Sequence, residues 1–314
     1  IYLRMIQLRP YQTEAINLLR TGFAKHKRQI LCLDTGSGKT VIFSDMIRQA
    51  YDKGTTTLVI TDRIELCTQT LKAISQHNIN LQILNAQTKI FYPSASVTLA
   101  MCETLKRRIK KWPPGYYNPN FVVIDEAHKN SFTKIIEAFP NAKIIGATAT
   151  PKAPFLHKYY DSIVKNIDII ELIEQGYLSP CRAFMMQDNF DDVPVKRGEY
   201  DEQKLFTHFD KQKLYSGVVE KYKEKTNGKK ALVFCVNILH SEKTNEEFNN
   251  AGIHSRVVTS KTPPDEREKI LLDFKNGAFP VLVNCGILTT GYDDDTIEVI
   301  VLDRAMKSLI LFLQ

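Results

Sequence analysis

The stretch that decides the fold is Ile30-Leu31-Cys32-Leu33-Asp34-Thr35-Gly36-Ser37-Gly38-Lys39-Thr40. An apolar run leads into it, and a helical pattern over 41–53 follows it, with Gly54 as the predicted helix end. A strand, a glycine-rich loop and a helix in this order form the context in which backbone N–H groups turn toward phosphate oxygens. The stretch therefore predicts a phosphate-binding loop in an α/β fold.

Each residue type in the loop suits the binding of a nucleotide. Lys39 would reach the β- and γ-phosphate oxygens, and the hydroxyl of Thr40 would be a ligand of Mg²⁺. A strict form of the motif has glycine where Leu33 stands, so the match fails at its first position. A turn that only connects strand to helix is the alternative. The candidate nucleotide-binding residues of the loop are Thr35, Gly36, Ser37, Gly38, Lys39 and Thr40.

A second apolar strand ends in two carboxylates, in Phe121-Val122-Val123-Ile124-Asp125-Glu126-Ala127-His128. The carboxyl ends of strands are where α/β proteins bind their ligands. Asp125 would hold Mg²⁺, and Glu126 would orient and polarise a water molecule beside the γ-phosphate. Alone, an acidic solvated turn explains these residues equally well. Together with the loop they predict a site for ATP and Mg²⁺ in which Lys39, Asp125 and Glu126 are catalytic.

Short β-rich runs alternate with helical patterns along the whole chain, which is typical of parallel sheets covered by helices. The first series comprises strands near 29–34, 56–61, 97–101, 121–125 and 143–148 and helices near 41–53 and 63–77. The second comprises strands near 182–187, 230–236, 254–259, 280–285 and 298–303 and helices near 211–225, 239–251 and 264–275. The sequence predicts two α/β lobes, at 1–178 and 179–314, with a loop at 188–204.

Composition narrows the function classes. The chain has 314 residues and a net charge of +7, which favours a polyanionic partner without proving one. No apolar run approaches the roughly 18 residues of a membrane helix, and the first residues lack the apolar core of a secretory signal. The six cysteines form no Cys-x-x-Cys pair, so we expect buried, reduced thiols rather than disulfides or a zinc site.

The chain resembles the superfamily 2 helicases of the DEAH-box group, because Asp125-Glu126-Ala127-His128 is the literal box and other segments match in the expected order. Leu8-Arg9-Pro10-Tyr11-Gln12 resembles the first motif, which implies that Arg9 and Gln12 lie beside adenine. Within the group, the chain looks most like bacterial and phage repair or branch-migration helicases (UvsW-like, RadD-like), with type III restriction motors nearby. The resemblance implies two tandem RecA-like lobes with ATP in the cleft between them.

The remaining motifs imply contacts with nucleic acid and coupling between ATP hydrolysis and strand movement. Segments 61–66 and 98–105 resemble strand-gripping motifs, 147–151 resembles the Ser/Thr-Ala-Thr motif, and 281–293 resembles motif V, in which Asp293 would face the nucleotide. The implied coupling residues are His128, Thr148, Thr150 and Gly291. The candidate nucleic-acid contacts are Arg63, Cys102, Thr104, Arg107, Thr289 and Thr290.

Two weaker signals have competing explanations. The basic segment 106–112 is followed by Pro113-Pro114-Gly115-Tyr116-Tyr117, and its charges and rings could bind phosphates and bases. A solvated helix face leading into a proline turn explains it equally well. For Tyr159 and Tyr160, core packing is the preferred explanation over base stacking.

The family's last motif supplies a glutamine and two arginines that touch the γ-phosphate, yet the sequence stops at Phe312-Leu313-Gln314. We therefore expect a second lobe that is truncated within this motif, and slow hydrolysis. Three functions stay open: a DNA helicase of replication, recombination or repair, an RNA helicase, and a nucleotide-gated nucleic-acid-binding module. We expect DNA rather than RNA as the partner, a monomer, no membrane association, and a location in the cytoplasm of a bacterium or of a phage-infected host.

Overall fold

The structure, a computed structural model, describes residues 7–61, 79, 81–184, 189–196, 199–212, 214–288, 292 and 294–305. Contacts between Cα atoms divide the chain into two compact units, the first ending at Arg182 and the second beginning at Ala183. Each unit contains a parallel sheet with helices packed on it, as the α/β prediction requires. Within the described ranges, no helix has the length and apolar character that a bilayer crossing needs.

The first unit is a parallel sheet with the strand order β3-β4-β2-β5-β6-β1-β7. Its strands are β1 (Arg28–Cys32), β2 (Thr57–Thr61), β3 (Leu81–Leu84), β4 (Val97–Met101), β5 (Phe121–Ile124), β6 (Lys143–Thr148) and β7 (Ser162–Val164). Its described helices are α1 (Pro10–Gly22), α2 (Lys39–Asp52), α3 (Cys102–Ile109), α4 (Thr133–Ala138), α5 (Leu156–Tyr159) and α6 (Ile169–Glu174), with a 3-10 turn at Asn130–Phe132. Because all strands run in the same direction, the segments that follow β1, β6, β5 and β2 emerge side by side at one edge.

Alternate residues of the central strands face opposite sides of this sheet. Leu31 packs on one side with Leu19 of α1 and Ile47 of α2. Ile30 packs on the other side with Leu105 of α3. Each of these side chains is fully buried, and such burial stabilises the fold by about 1.5–3 kcal/mol per residue. The two apolar layers hold the sheet rigid beneath its functional edge.

The five strands predicted for the first unit are confirmed to within a residue or two at each end. The edge strands β3 and β7 were not predicted, because both are too short to show a clear pattern. The predicted helix at 63–77 lies outside the described residues.

The second unit contains a smaller parallel sheet with the order β11-β12-β10-β13 and a two-residue-per-strand hairpin, β8–β9. Its strands are β8 (Val195–Lys196), β9 (Glu199–Tyr200), β10 (Ala231–Cys235), β11 (Ser255–Val258), β12 (Val281–Asn284) and β13 (Val299–Asp303). Its described helices are α7 (Glu202–Gln212), α8 (Leu214–Thr226), α9 (Ile238–Asn250) and α10 (Pro264–Lys275). Phe248 of α9 fills the core on one face of the sheet, and Phe274 of α10 fills it on the other.

Two predictions at the start of the second unit were wrong. Residues 182–184 of the predicted strand near 182–187 are exposed and irregular. The predicted loop at 188–204 contains the β8–β9 hairpin and the start of α7. Asp201 explains that start, because its carboxylate accepts hydrogen bonds from the N–H groups of Gln203 and Lys204, both at 3.1 Å, as a helix N-cap does.

The expectation that the cysteines are buried, reduced thiols needs one correction. Cys32, Cys102 and Cys235 are buried free thiols, whereas Cys181 is exposed and Cys285 is half-buried. Cys181 differs because it follows Pro180 in a segment without regular structure, where no sheet covers it. Cys67 lies outside the described residues.

A buried polar cluster joins the end of β13 to β10 and α9. One carboxylate oxygen of Asp303 lies 3.0 Å from the hydroxyl of Thr244, 3.1 Å from Nε2 of His240 and 3.9 Å from Sγ of Cys235. The backbone N–H of Val236 donates to Nδ1 of His240 at 3.3 Å, so the neutral ring carries its proton on Nε2, toward Asp303. A metal ligand would need the Nε2 lone pair, so the arrangement suits a hydrogen-bond network rather than a metal centre.

Candidate active site

The predicted phosphate-binding loop lies between β1 and α2. Its backbone turns at Gly36 and Gly38, whose φ angles of 83° and 80° lie in the left-handed region that favours glycine. α2 begins at Lys39, directly after the second turn, so the unpaired N–H groups of its first turn face the loop. These N–H groups and the positive end of the helix dipole suit the loop to an anion.

The two glycines are also needed for space. A Cβ atom on Gly38 would lie 2.6 Å from Nε2 of Gln12, and one on Gly36 would lie 2.9 Å from Cδ2 of Leu178. Both distances are shorter than non-bonded carbon contacts allow. Glycine at these positions therefore lets Gln12 and Leu178 pack directly against the loop.

Lys39 folds back over the loop. Its Nζ donates hydrogen bonds to the carbonyl oxygens of Leu33 at 3.0 Å and Asp34 at 3.2 Å. Burial lowers the pKa of Lys39, and the nearby carboxylates of Glu126 and Asp125 oppose that shift. The ammonium group is thus largely removed from water and within electrostatic range of both acids.

Of the two predicted adenine-side residues, Gln12 contacts the same loop directly, together with its neighbour Tyr11. The hydroxyl of Tyr11 donates to the carbonyl of Ser37 at 2.6 Å, and Nε2 of Gln12 donates to the same oxygen at 3.2 Å. The backbone N–H of Arg9 donates to Oε1 of Gln12 at 2.9 Å. The start of α1 is therefore attached to the phosphate loop through one carbonyl group.

Tyr177 is a candidate residue that sequence reasoning missed. The guanidinium carbon of Arg9 lies 4.7 Å from the centroid of the Tyr177 ring, and the rings of Tyr11 and Tyr177 are 5.3 Å apart. Tyr177 follows α6, far along the chain from Arg9, and its segment reads only as a turn. Its contact with Arg9 places an aromatic ring beside the predicted base-binding end of the site.

Asp125 and Glu126 follow β5 at the carboxyl edge of the sheet. The backbone N–H of Asp125 donates to the carbonyl of Ile60 at 3.0 Å, which continues the pairing between β5 and β2. Glu126 has a φ of 53°, and a left-handed conformation costs a residue with a side chain about 1–2 kcal/mol. Its N–H donates to Oδ1 of Asp125 at 3.0 Å, which helps to hold this conformation.

Asp125 is only 6% exposed, and burial is the main reason that the pKa of its carboxyl is raised to about 6. The negative charge of Glu126 raises it further, whereas the charge of Lys39 lowers it. A nearby cation strongly stabilises the charged form of a carboxyl group in this environment. The site thus combines a desolvated carboxylate with a desolvated ammonium group.

His128, Thr148 and Thr150 form one hydrogen-bonded group behind the acids. Nδ1 of His128 lies 3.0 Å from the Thr148 hydroxyl and 3.2 Å from a carboxylate oxygen of Glu126. The backbone N–H of Thr150 donates to the same Thr148 hydroxyl at 3.0 Å. The group links Glu126, which follows β5, with the segment that follows β6, and its coupling role stays a prediction.

The residues at this edge fit Mg²⁺ and a triphosphate. Thr40 is the second residue of α2, and the Asp125 carboxylate is close enough to affect the pKa of Lys39. The hydroxyls of Thr61 and Thr150 are buried and find no hydrogen-bond partner among the described residues. Buried polar atoms of this kind are satisfied when a polar ligand binds. Oxygen donors and unpaired N–H groups are also the groups that Mg²⁺ and phosphate require.

The predicted nucleic-acid residues are distributed differently. Thr104 and Arg107 lie on α3, which follows β4. Cys102 is buried and its thiol donates to the carbonyl of Ser131 at 3.5 Å, so a contact with a strand would use its backbone. The other predicted nucleic-acid contacts, Arg63, Thr289 and Thr290, lie outside the described residues. The predicted coupling residue Gly291 and the predicted nucleotide-facing residue Asp293 lie outside them as well.

Two family models match the chain. The model described as "Type III restriction enzyme, res subunit" matches residues 5–153, and the model described as "Helicase conserved C-terminal domain" matches residues 211–314. The first includes the whole group of residues from Arg9 to Thr150 that the structure brings together at the sheet edge.

Several named proteins are similar in sequence. A 51.5 kDa protein of a Lactococcus phage is 29% identical over 89% of this chain and 59% of its own length. The putative ATP-dependent helicase IRC3 of Saccharomyces cerevisiae is 30% identical over 98% of this chain and 48% of its own length. The chain spans about half the length of these relatives.

Solved structures share the fold at low sequence identity. The Type ISP restriction-modification enzyme LlaBIII bound to DNA superposes with a TM-score of 0.65, at 16% identity, over 96% of this chain and 26% of that chain. The helicase domain of Hef from Pyrococcus furiosus superposes with a TM-score of 0.55, at 17% identity, over 98% of this chain and 91% of that chain. The two family models match in order, one on each parallel-sheet unit, so the chain is similar to superfamily 2 helicases along both units.

Proposed function

We propose that this chain is the motor of an ATP-dependent DNA helicase or translocase that hydrolyses Mg-ATP and moves along a nucleic acid strand. One observation carries the proposal. At one edge of the first sheet, Lys39 of the glycine-rich loop lies within electrostatic range of the carboxylates of Asp125 and Glu126. That Asp293 contacts the nucleotide stays a prediction from the sequence. The assignment to DEAH-type repair or branch-migration enzymes stays a prediction from the sequence.

Each residue of the edge has a defined task in the proposed reaction. The loop amides and Lys39 bind and orient the β- and γ-phosphates, and Thr40 and Asp125 hold Mg²⁺, which neutralises phosphate charge. Glu126 orients a water molecule for attack on the γ-phosphorus and accepts its proton, and the bond to the β-phosphate oxygen breaks to leave ADP and phosphate. His128 and Thr148 transmit the state of Glu126 to the strand-contacting segments.

DNA is the proposed strand because restriction enzymes recur among the relatives. A subunit of the Type I restriction enzyme EcoAI endonuclease is 26% identical over 98% of this chain, and the LlaBIII structure was solved with DNA. RNA is the alternative, since a DEAD-box ATP-dependent RNA helicase of Arabidopsis thaliana is 24% identical over 90% of this chain. The family motifs contact the sugar-phosphate backbone of a strand and do not read its bases. Whether the strand is DNA or RNA therefore has to be tested directly.

The test is steady-state ATP hydrolysis with Mg²⁺, alone and with single-stranded DNA, branched DNA or RNA. Lys39→Ala and Glu126→Gln are the active-site variants. Lys53→Ala is a matched control, because Lys53 is exposed at the opposite end of α2. We expect DNA to stimulate hydrolysis in the wild type and the control, and hydrolysis to fall by at least 100-fold in both active-site variants.

The other outcomes distinguish the alternatives. Stimulation by RNA and not by DNA would identify an RNA-directed enzyme. Nucleic-acid affinity that depends on ATP, without stimulated hydrolysis, would identify a nucleotide-gated binding module. Failure of the wild type to bind ATP would refute the proposed function altogether.

A further inference from the structure

Residues 81–120 carry an unusual excess of positive charge on the β3 side of the first sheet. The only acid in this described segment is Glu103, and its cations are Lys89, Lys106, Arg107, Arg108, Lys110 and Lys111. We call the exposed part the basic aromatic surface, which consists of Lys89, Arg107, Lys110, Lys111, Tyr92 and Tyr116. It lies in the loop between β3 and β4, on α3, and in the loop that follows α3.

The single acid does not neutralise this surface. Glu103 forms an ion pair with Lys106 at 2.7 Å. A hydrogen bond from Lys106 is the main reason that the pKa of Glu103 is lowered, and the charges of Arg107 and Lys110 lower it further. Several cations therefore cluster around one acid that is already paired. A surface of this composition attracts an anionic partner.

A rigid aromatic cluster supports the surface. The ring of Phe91 stacks on Trp112 at 4.6 Å, with an angle of 23° between the planes, and meets Tyr117 edge-on at 5.1 Å. Trp112 also contacts Tyr116 at 5.4 Å. Phe91 and Tyr117 are buried, so the cluster joins the two loops into one platform.

Tyr92 is displayed from a fixed backbone. The side-chain amide of Gln82 donates to the carbonyl of Tyr92 at 2.7 Å and accepts from its N–H at 3.1 Å. The guanidinium of Arg108 donates to the carbonyl of Thr88 in the same loop. Tyr92 is nevertheless 60% exposed, and Tyr116 is 39% exposed. Among the described residues the exposed cations of this surface form no ion pair, and exposed rings on such a surface are suited to stack on the bases of a strand.

We propose that the basic aromatic surface, which includes the predicted strand contact Arg107, is an accessory binding site for a single nucleic acid strand that extends beyond the family motifs. Its lysines and Arg107 contact phosphates, while Tyr92 and Tyr116 stack on bases or sugars. The inference rests on the proposed function, because it assumes that the chain binds nucleic acid. The site lengthens the contact with the strand and raises affinity without touching the nucleotide.

The test compares Lys110→Glu/Lys111→Glu with the control Lys25→Glu/Lys27→Glu, which makes the same charge change at exposed lysines of the same unit. Affinity for a fluorescent single strand is measured by anisotropy over a series of KCl concentrations. We expect the slope of log K against log [KCl], which is negative, to become less steep by about 1.4 in the Lys110/Lys111 variant, for two lost phosphate contacts, and to be unchanged in the control.

Tyr92→Ala tests stacking separately from charge. We expect it to weaken single-strand binding by about 5-fold or more and Tyr92→Phe to retain wild-type affinity, since stacking needs the ring and not the hydroxyl. A duplex of equal length is a second arm, and we expect Tyr92→Ala to affect it less. Thermal unfolding midpoints equal to that of the wild type show that the variants are folded.

The outcomes separate this inference from the proposed function. If the wild type binds nucleic acid while the Lys110/Lys111 variant behaves like the Lys25/Lys27 control, the accessory site is wrong and the proposed function stands. If the Lys110/Lys111 variant loses the same affinity for duplex as for single strand, and Tyr92→Ala binds the single strand like the wild type, the stacking role is overturned. If the wild type binds no nucleic acid and the surface binds only an acidic protein, both proposals fail.

Discussion

At the scale of single residues, burial controls the chemistry of Asp125. Its pKa is raised to about 6, whereas an aspartate in an unfolded chain titrates near pH 4. Between these values the folded protein keeps a proton that the unfolded chain has lost. Stability without ligand therefore falls as the pH rises from about 4 to about 6, and the loss is complete above about 6.

Asp125→Asn should remove this penalty. We expect the variant to be more stable than the wild type by about 1–3 kcal/mol at pH 8, because a neutral amide of similar shape avoids the buried charge. The difference should shrink as the pH falls through about 6 and vanish near 4. Chemical denaturation in EDTA without nucleotide measures it, and Asp52→Asn at the exposed end of α2 is the control. A difference that is constant with pH would contradict the assignment.

Thr148→Val tests the coupling group. The substitution leaves the N–H of Thr150 and the ring of His128 without the hydroxyl they contact, which costs about 1–3 kcal/mol of stability. We expect the stimulation of ATP hydrolysis by DNA to fall more than the basal rate does, because the group links Glu126 to the next segment. The ratio of stimulated to basal hydrolysis is the measurement.

Thr57→Val is the matched control for this variant. Thr57 is buried at the start of β2, at the end of the same sheet that lies away from the proposed site. Its substitution therefore measures the effect of losing a buried hydroxyl alone. Equal ratios in Thr148→Val, Thr57→Val and the wild type would show that the group has only a structural role.

At the scale of elements, Gly146 lets β6 pack closely beneath the acidic segment. A Cβ there would lie 2.6 Å from the Tyr160 hydroxyl and 2.7 Å from Cβ of Ala127. Ala127 lies between Glu126 and His128, so any displacement moves the residues proposed to carry out hydrolysis. The close approach of β6 is thus part of how the sheet positions the site.

Gly146→Ala should destabilise the first unit by about 1–3 kcal/mol through overpacking and should slow ATP hydrolysis. Adding Tyr160→Leu should restore part of the stability, since it removes the hydroxyl but leaves Ala127 in place. Denaturant unfolding and the hydrolysis rate are measured together. Unchanged stability in Gly146→Ala would contradict the tight packing seen at this strand.

At the scale of the whole molecule, each unit has its own hydrophobic core. Phe248 is fully buried in the core of the second unit, together with Tyr222 and Val233. The core of the first unit around Leu31 shares none of these residues. Each sheet is therefore stabilised by its own hydrophobic core.

Phe248→Ala should destabilise the second unit by about 3–5 kcal/mol through the cavity it leaves. Hydrogen exchange followed by mass spectrometry should show faster exchange in β10 and β12, with unchanged protection in β1 and β6. A uniform loss of protection in both units would mean that the two cores unfold as one.

Much of the site could be predicted from sequence because its chemistry lies in short segments. The loop around Lys39 and the pair Asp125 and Glu126 each follow a strand directly, and the parallel sheet then brings them together. The same reasoning missed Tyr177 and the platform beneath Tyr92, because their partners are distant in the chain. The start of α7 was missed because the cap at Asp201 is a single hydrogen-bonding side chain.

The sequence by itself determined the α/β class, the strands of both parallel sheets except the short edge strands β3 and β7, and the loop that suits phosphate, because periodicity and glycine positions act between neighbouring residues. Only the tertiary structure decided which side chains meet at the sheet edge, how far the pKa of Asp125 rises, and that Tyr177 contacts Arg9. These properties depend on desolvation and on contacts between residues far apart in the chain. No local pattern encodes them, because burial is a result of the whole fold.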